Sequence, residues 1–368
     1  IAQWLAGAGK SFATLSTGTA GGGRIINIMA EETDSFRFAM RRPEAAWPNG
    51  IGEKLIRRIG PIPDHELPAI DWIRWGVDAY LDFIEPDVGP DVMLLWLSEP
   101  DETFHQLGIG SPESLQTIAH VDAQFGRILQ RHKNEIDAGV MQIVTLSDHG
   151  QIGVHGEPLG LAARFADAGF GAEDVSIVVA NAGGVWLRAD AKDRIGELAA
   201  WLQSQSWCGP IFTRDGAGET LTLSDILIDH PRAPDIALAL AYDDADNPWG
   251  RAGMTLHDSK YPSGGGCHGG LSPFELHNFL AMSGSHFMSE QAFEVCAGNT
   301  DIMPTVLHLL GLPQPDDIDG RVLHEALKDG GAAPEAQEKT LVSANTKGAV
   351  THLSVSTVSG TPYITINR

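Results

Sequence analysis

VMQIVTLSDHG at residues 140–150 and DVMLLWLSEPD at residues 91–101 are the two stretches that decide the fold. Each is a short, continuous apolar run that gives way to a serine and an acidic residue. Such a run, without polar alternation, is typical of a strand that is buried on both faces of a sheet. The two stretches therefore predict buried strands at residues 91–97 and 140–146, with polar loops at their carboxyl ends.

Helical patterns alternate with strand-like runs along most of the chain. Residues 111–131 give the clearest helical pattern, because Ser111 can cap the helix and Pro112 suits its first turn. Further strands are predicted at residues 12–16 and 236–241. This alternation is typical of an α/β fold with a mainly parallel central sheet and helices on both faces. In such sheets, ligands bind outside the carboxyl ends of the strands.

Charge and composition argue against several classes of partner. The chain has 25 Lys and Arg against 48 Asp and Glu, a formal net charge of −23. Because so acidic a protein repels the phosphate backbone, stable nucleic-acid binding is not expected. No apolar run approaches the roughly 20 residues that span a bilayer, so no membrane partner is expected. No export signal is visible, which favours a cytoplasmic over a periplasmic location.

Acidic residues and histidines follow both predicted strands. Asp148 and His149 come directly after the second strand, while Asp101 and His105 follow the first, four residues apart. A spacing of four lets one helical turn direct both side chains at a single point. A carboxylate beside an imidazole is also a partial ligand set for a zinc-class ion. Two strands that both end in this way make simple polar turns a weaker explanation.

A third candidate lies in a run of glycines at residues 264–270, where a single histidine, His268, follows Cys267. Glycines allow the backbone to approach a crowded site closely, but they do not explain the imidazole among them. We interpret Cys267 as structural, because oxygen and nitrogen ligands suit phosphoryl chemistry better than sulfur does.

The candidate ligands are together enough for two ions. They are Asp101, His105, Asp148, His149 and His268. Two neighbouring cations can stabilise both the attacking and the leaving oxygen of a displacement at phosphorus. They would also neutralise a charged phosphate, which a protein of net charge −23 otherwise repels.

Four motifs, in order, resemble those of the alkaline phosphatase superfamily. Residues 99–108 (EPD, then His105 and Gly108) resemble its first metal loop, and residues 147–150 (SDHG) its second. Residues 268–278, which begin HGGLSP, resemble the final ligand region of its nucleotide pyrophosphatase/phosphodiesterase branch. Residues 299–311, which begin NTDI, resemble the closing segment of that branch. The resemblance extends over about residues 1–325.

The resemblance implies an alkaline-phosphatase-like fold and a phosphoric ester hydrolase of the phosphodiesterase or nucleotide pyrophosphatase type. It implies that Asp101, His105 and His268 hold one ion and that Asp148 and His149 hold the other. Zinc is the expected metal and manganese the alternative. The implied mechanism passes through a covalent phospho-enzyme, which water activated at a metal ion then hydrolyses. The expected substrate is a small phosphate ester or a nucleotide.

One part of the superfamily pattern is missing. The superfamily carries a further aspartate ligand near its amino terminus, followed by a threonine or serine nucleophile, and neither is found. Residues 21–24 read GGGR where the pattern has proline and His-Gly, so Ser16, Thr17 and Thr19 are not assigned as the nucleophile. We therefore expect a missing amino-terminal segment or a second chain to complete the site, and this chain alone to be catalytically incomplete.

The positions of the superfamily motifs along the chain also predict the domain organisation. Residues 1–328 form the alkaline-phosphatase-like domain, incomplete at its amino terminus, and residues 171–262 contribute its substrate side. Residues 329–368 are predicted to form a linker and a carboxyl-terminal strand pair, because residues 339–367 alternate in polarity. His155, six residues after His149, is a candidate substrate-binding residue.

Other functions remain open on the same metal core. A phosphomonoesterase or a phosphonate hydrolase would use the same ligands. A sulfatase is disfavoured, because no cysteine lies in a CxPxR context, and a phosphosugar mutase would be expected to take manganese. A non-catalytic binding module that lost its nucleophile is the alternative from a different class.

Overall fold

The computed structural model describes residues 1–344, 348 and 350–365. Its helices are α1 (Ala2–Gly7), α2 (Ala20–Ile25), α3 (Ile51–Ile59), α4 (Ile70–Ala79), α5 (Asp101–Leu107), α6 (Pro112–Arg131), α7 (Lys133–Asp137), α8 (Leu161–Asp167), α9 (Ile195–Gln203), α10 (Pro273–Leu276) and α11 (Ile302–Leu309). A π-helical segment, Tyr80–Val88, continues α4. Short 3₁₀ turns lie at Pro43–Ala45, Ala189–Arg194, Ser224–Ile226, Asn299–Asp301 and His324–Ala326.

The strands form five sheets. They are β1 (Phe12–Ser16), β2 (Phe36–Ala39), β3 (Val92–Trp96), β4 (Gln142–Leu146), β5 (Ile152–Val154), β6 (Val175–Val179), β7 (Ala182–Leu187), β8 (Cys208–Thr213), β9 (Leu221–Thr222), β10 (Ile236–Leu240), β11 (Tyr242–Asp246), β12 (Ala252–Thr255), β13 (Gly266–Cys267), β14 (Leu280–Gly284), β15 (Ala336–Ala344), β16 (Val350–Val358) and β17 (Thr361–Thr365). The sheet orders are β2-β1-β3, β6-β7-β10-β8-β9, β11-β12-β5-β13, β14-β4 and β15-β16-β17.

The first sheet is wholly parallel, with Phe12 of β1 opposite Val92 of β3 and Ala13 opposite Phe36 of β2. All five residues of β1, whose bounds the sequence predicted, are buried. The strand packs against α4 in a core that includes Ile73. Burial of β1 between neighbours on both edges suits its parallel pairing, because parallel sheets are covered on both faces.

The prediction that β3 and β4 are buried on both faces is wrong. Their residues are mostly half-buried, with Leu94 37% and Leu146 38% exposed. Within the described part of the chain, β3 pairs only with β1 and β4 only with β14. Each strand therefore has one free edge, where no neighbouring strand shields its apolar side chains from solvent.

The α/β class is confirmed, but the sheets are mixed rather than mainly parallel. In the five-stranded sheet, β6, β7, β10 and β8 are antiparallel, and only β8 and β9 run parallel. Two residues, Ala180 and Asn181, separate β6 from β7. So short a connection can join only antiparallel strands, because a parallel crossover needs roughly a dozen residues. The alternation of strand and helix patterns does not reveal such hairpins.

The carboxyl-terminal region forms three antiparallel strands where the sequence predicted a pair. Ser359 and Gly360 have φ values of 51° and 89°, so a left-handed turn divides the alternating run into β16 and β17. Leu353 packs with Phe212 and Ala237, which attaches this sheet to the five-stranded one. Residues 345–347, 349 and 366–368 of the predicted region lie outside the described residues.

In the described part of the chain, no helix combines the length and the apolar character that crossing a bilayer requires.

Candidate metal centre

The first metal loop follows β3 and leads directly into α5. Asp101 is the first residue of α5, where a carboxylate is favoured by the helix dipole, and His105 lies one turn later on the same face. The buried Glu99 carboxylate accepts hydrogen bonds from the backbone of Ala69 and Thr103, each at 3.0 Å. Burial raises the pKa of Glu99 despite these hydrogen bonds. Glu99 therefore fixes the loop that presents Asp101.

Three of the predicted ligands converge on one point. The Oδ1 atom of Asp101 lies 3.4 Å from Nε2 of His105 and 3.6 Å from Nε2 of His268. The ligand atoms of all three residues lie within 4.8 Å of one another. Two ligands of a tetrahedral zinc ion, bound at about 2.0–2.1 Å, lie about 3.3 Å apart. The two distances to Asp101 and the donor types are therefore compatible with a zinc-class ion.

The surroundings of His105 orient its ring. Nδ1 of His105 donates a hydrogen bond to the carbonyl oxygen of Gly266 at 2.7 Å, which leaves Nε2 directed at Asp101. Tyr261 stacks on the imidazole with ring centroids 4.0 Å apart. A carbonyl oxygen that accepts the Nδ1 proton fixes the tautomer in which Nε2 can bind a metal.

Charge and burial set the protonation of the group. Burial lowers the pKa of His268 to about 4, and the neighbouring His149 adds to the effect. Burial also opposes protonation of His105, but Asp101 outweighs it and raises the pKa of His105. For Asp101, burial favours the neutral acid, yet His105 and the other imidazoles lower the pKa. The group thus presents a carboxylate and, at His268, a neutral imidazole, which are the forms that bind metals.

Asp148 and His149 lie beside this group, and Asp148 is the most exposed of the five candidate ligands. Nε2 of His149 is 3.5 Å from Oδ2 of Asp148 and 4.0 Å from Oδ1 of Asp101, and its ring stacks on His268 with centroids 3.6 Å apart. Asn299 donates a hydrogen bond to the carbonyl oxygen of Asp148 at 2.7 Å. In the same way, Asn278 donates to the carbonyl oxygen of Ser147 at 2.7 Å. Two asparagines from distant segments therefore hold the second metal loop.

The glycine-rich loop packs tightly against the other loops. A Cβ atom at Gly265 would lie 2.3 Å from the carbonyl oxygen of His105, so only glycine lets β13 approach α5 this closely. Cys267 is 1% exposed, and its thiol donates to Oδ1 of Asn181 at 3.2 Å. Burial raises the pKa of the Cys267 thiol to about 11. The thiol is not among the converging ligand atoms, which agrees with a structural role.

His155 is not among the residues whose ligand atoms converge. Its Nε2 atom is 3.3 Å from both carboxylate oxygens of Asp243 on β11. Its predicted contact with substrate stays a prediction.

The hydroxyl groups of Ser16, Thr17 and Thr19 accept hydrogen bonds from backbone amides. Thr17 accepts a hydrogen bond from the amide of Ser98 at 2.7 Å, and Ser16 accepts one from the amide of Gly18 at 3.2 Å. Thr19 caps α2 by accepting from the amide of Gly22. That none of the three hydroxyls is the nucleophile stays a prediction.

Sequence reasoning missed several residues that contact the ligands. Gln151 is hydrogen-bonded through Nε2 to Oδ1 of Asp101, 50 positions away, and Tyr261 stacks on His105. Beside them, Arg41 and His65 both contact the carboxylate of Glu102, the residue after Asp101. No local pattern reveals such contacts, because the partners come together only in the folded chain.

Comparison with known proteins gives one family match. Residues 64–200 match the model of the type I phosphodiesterase / nucleotide pyrophosphatase family. A search of curated protein sequences finds no significant match.

Solved structures of three kinds share the fold. Phosphonoacetate hydrolase from Sinorhizobium meliloti 1021, in complex with phosphonoformate, has a TM-score of 0.53 at 14% identity, over 80% of this chain and 70% of that one. An inactive murine ectonucleotide pyrophosphatase / phosphodiesterase 5 in complex with AMP has a TM-score of 0.54 at 16% identity, over 86% and 71%. Wild-type alkaline phosphatase PafA has a TM-score of 0.51 at 17% identity, over 70% and 52%.

The match over residues 64–200 confirms the predicted resemblance to the phosphodiesterase / nucleotide pyrophosphatase branch and supports the predicted class of phosphoric ester hydrolase. The matched residues include the loops that carry Asp101, His105, Asp148 and His149, whereas His268 lies beyond them. At identities of 14–17%, the structural likenesses show a shared alkaline-phosphatase-like fold.

Proposed function

From the alkaline-phosphatase-like fold and the family match over residues 64–200, we propose that the protein is a metal-dependent phosphodiesterase or nucleotide pyrophosphatase. The observation that carries the proposal is the convergence of His105 and His268 on Oδ1 of Asp101, with His149 beside them. Converging imidazoles and a carboxylate outside the carboxyl ends of strands are suited to hold cations against a phosphate. The substrate is a small phosphate ester or a nucleotide.

Two divalent ions are proposed, with zinc as the first choice and manganese as the alternative. Asp101, His105 and His268 would hold one ion, and Asp148 and His149 would contribute to the other. Mixed nitrogen and oxygen donors suit zinc. When bound, such ions neutralise the charge of a phosphate and polarise its phosphorus–oxygen bonds.

Hydrogen bonds from neighbouring residues hold the proposed ligands in place. Gly266 orients His105 through its carbonyl oxygen, and Asn278 and Asn299 hold the loop of Asp148 and His149. Around the ligands, residues 171–262 are proposed to shape the substrate side, with His155 as a substrate contact.

We propose that a further polypeptide segment, or a second chain, supplies the nucleophile and the remaining ligand of the second ion. The free edges of β3 and β4 support this, because both strands end at the ligand loops and leave apolar side chains half-exposed. The supplied hydroxyl would attack phosphorus, expel the leaving group and form a covalent phospho-enzyme, which water then hydrolyses.

Phosphonate hydrolysis is the second candidate, and the shared fold with phosphonoacetate hydrolase favours it. Phosphomonoester hydrolysis would use the same ligands. A binding module without catalysis is the alternative if no nucleophile reaches the site.

The test measures hydrolysis of bis-p-nitrophenyl phosphate, p-nitrophenyl phosphate and phosphonoacetate by the zinc-loaded protein, with Asp101→Asn as the control. With the completing segment present, we expect the diester to be cleaved fastest, and Asp101→Asn to abolish turnover. For this chain alone, we expect zinc-dependent binding of AMP without turnover, measured by calorimetry.

Other outcomes would redirect the proposal. Faster cleavage of phosphonoacetate would favour a phosphonate hydrolase, and faster cleavage of p-nitrophenyl phosphate would favour a phosphomonoesterase. Binding of AMP that is unaffected both by removing zinc and by Asp101→Asn would contradict the metal centre.

A further inference from the structure

Gln151 lies where the loops of the metal centre meet. It directly precedes β5, and β5 pairs with β13, the strand that leads into His268. Its Nε2 atom is hydrogen-bonded to Oδ1 of Asp101 and lies 3.3 Å from the carbonyl oxygen of the same residue. Gln151 therefore connects the first metal loop to the strand beside the last one.

The hydrogen bond of Gln151 goes to the carboxylate oxygen on which the ligands converge. Oδ1 of Asp101 also lies 3.4 Å from Nε2 of His105 and 3.6 Å from Nε2 of His268. A carboxylate oxygen has two lone pairs, so an amide that occupies one leaves the other for the side facing the imidazoles. The amide thus fixes both which oxygen is presented and in which direction.

The surroundings of Gln151 are fitted to its side chain. A Cβ atom at Gly266 would lie 2.2 Å from Oε1 of Gln151, so the glycine leaves room for the amide in its present position. Oε1 is buried and, among the described residues, has no hydrogen-bond partner. An unsatisfied buried polar atom costs about 1–3 kcal/mol, which an apolar side chain would avoid. An amide held at this cost suggests a task other than packing.

We propose that Gln151 is a positioning residue that orients the Asp101 carboxylate and thereby sets the metal affinity of the group formed by Asp101, His105 and His268. The inference rests on the proposed function only in requiring that this group binds a metal. Hydrogen-bonded partners of metal ligands typically change metal affinity by about 10–100-fold when they are replaced.

The test compares two variants with a matched control. Gln151→Met removes the donor but keeps a side chain of similar length, and Gln151→Glu keeps the shape but replaces the donor by an acceptor. Gln130→Met makes the same change at an exposed position of α6. The measurements are the dissociation constant for zinc, the visible spectrum of the cobalt-loaded protein and the melting temperature without metal.

We expect Gln151→Met to bind zinc about 10–100-fold more weakly, with a melting temperature close to that of the unchanged protein. Both variants should alter the cobalt spectrum. Gln151→Glu should also lower the melting temperature without metal, because its carboxylate faces that of Asp101. Gln130→Met should match the unchanged protein in all three measurements. The split between affinity and melting temperature separates positioning from a merely structural role.

Three results would overturn the inference. Unchanged zinc affinity in Gln151→Met would show that the amide does not position Asp101, while leaving the proposed function intact. A cobalt spectrum unchanged in both variants would show that the amide does not set the geometry of the group. If the unchanged protein binds no zinc, both this inference and the proposed metal centre fail.

Discussion

At the scale of single residues, the metal centre depends on one carboxylate oxygen that several groups share. Oδ1 of Asp101 faces the Nε2 atoms of His105, His268 and His149. Neighbouring imidazoles cannot all carry a proton, because like charges at this distance repel each other. The environment therefore divides the histidines, with the pKa of His105 raised and that of His268 lowered to about 4.

This division predicts separate titrations in the metal-free protein. His268 should remain neutral down to about pH 4, whereas His105 should take up its proton above its ordinary pKa of about 6.5. NMR titration of the imidazole carbon-bound protons, assigned with the variants His268→Gln and His105→Gln, measures both. A titration of His268 at or above pH 6.5 would contradict the arrangement described.

The sequence predicted the candidate ligands better than it predicted the residues that contact and orient them. Asp101 and His105 could be identified because a spacing of four places two side chains on one helical face. His268 could be identified because a lone imidazole stands among glycines. Gln151 and Tyr261 could not, since an amide or a ring becomes informative only when folding brings its partner near. The roles of the five candidate ligands stay predictions.

At the scale of elements, the centre depends on how closely β13 packs against α5. The backbone at Gly265 approaches the carbonyl oxygen of His105 so closely that a Cβ atom would lie 2.3 Å from it. Backbone atoms at this distance cannot give way as a flexible side chain can. Any larger residue must therefore separate the two elements, and with them His105 and His268.

We predict that Gly265→Ala weakens zinc binding at least tenfold and lowers stability by about 1–3 kcal/mol, as overpacking commonly does. Calorimetric zinc titration and urea unfolding measure the two effects. Gly7→Ala is the matched control, because a Cβ atom there has open space around it. Zinc affinity in Gly265→Ala equal to that of the control would contradict the close packing as the basis of the site.

Element positions were predictable from sequence, but their neighbours were not. β1 has the predicted bounds, and β3 and β4 lie where the apolar runs placed them. Their burial was wrongly predicted, because an apolar run indicates a strand without showing whether both edges are paired. The β6–β7 hairpin escaped prediction because its two-residue connection carries no helical pattern.

At the scale of the whole molecule, a buried polar network attaches the carboxyl-terminal sheet. The side chains of Arg321 and Glu325 are 8% and 3% exposed and form an ion pair at 2.6 Å. Arg321 also donates to the hydroxyl of Tyr363 on β17 at 3.0 Å, and that hydroxyl donates to Asp301 at 2.8 Å. Asp301 directly precedes α11, so the network joins the last strand to the main body.

Removing one partner of this network should destabilise the protein strongly. We predict that Arg321→Met lowers the free energy of unfolding by about 3–5 kcal/mol, because it leaves the Glu325 carboxylate buried without its partner. Arg57→Met, which removes an exposed pair with Glu53, should cost at most about 0.5 kcal/mol. Urea unfolding monitored by circular dichroism gives both values. If the two variants lose similar free energies of unfolding, the network does not stabilise the protein as described.

The central claim for the molecule is that Asp101, His105 and His268 form a metal site. The most direct measurement is zinc content by elemental analysis, after dialysis against a small excess of zinc, for the unchanged protein, His268→Ala and His286→Ala. His286 is exposed and serves as the histidine control. The account predicts that the unchanged protein and His286→Ala retain the same zinc, and that His268→Ala retains one ion fewer per chain. Equal zinc content in all three proteins would contradict it.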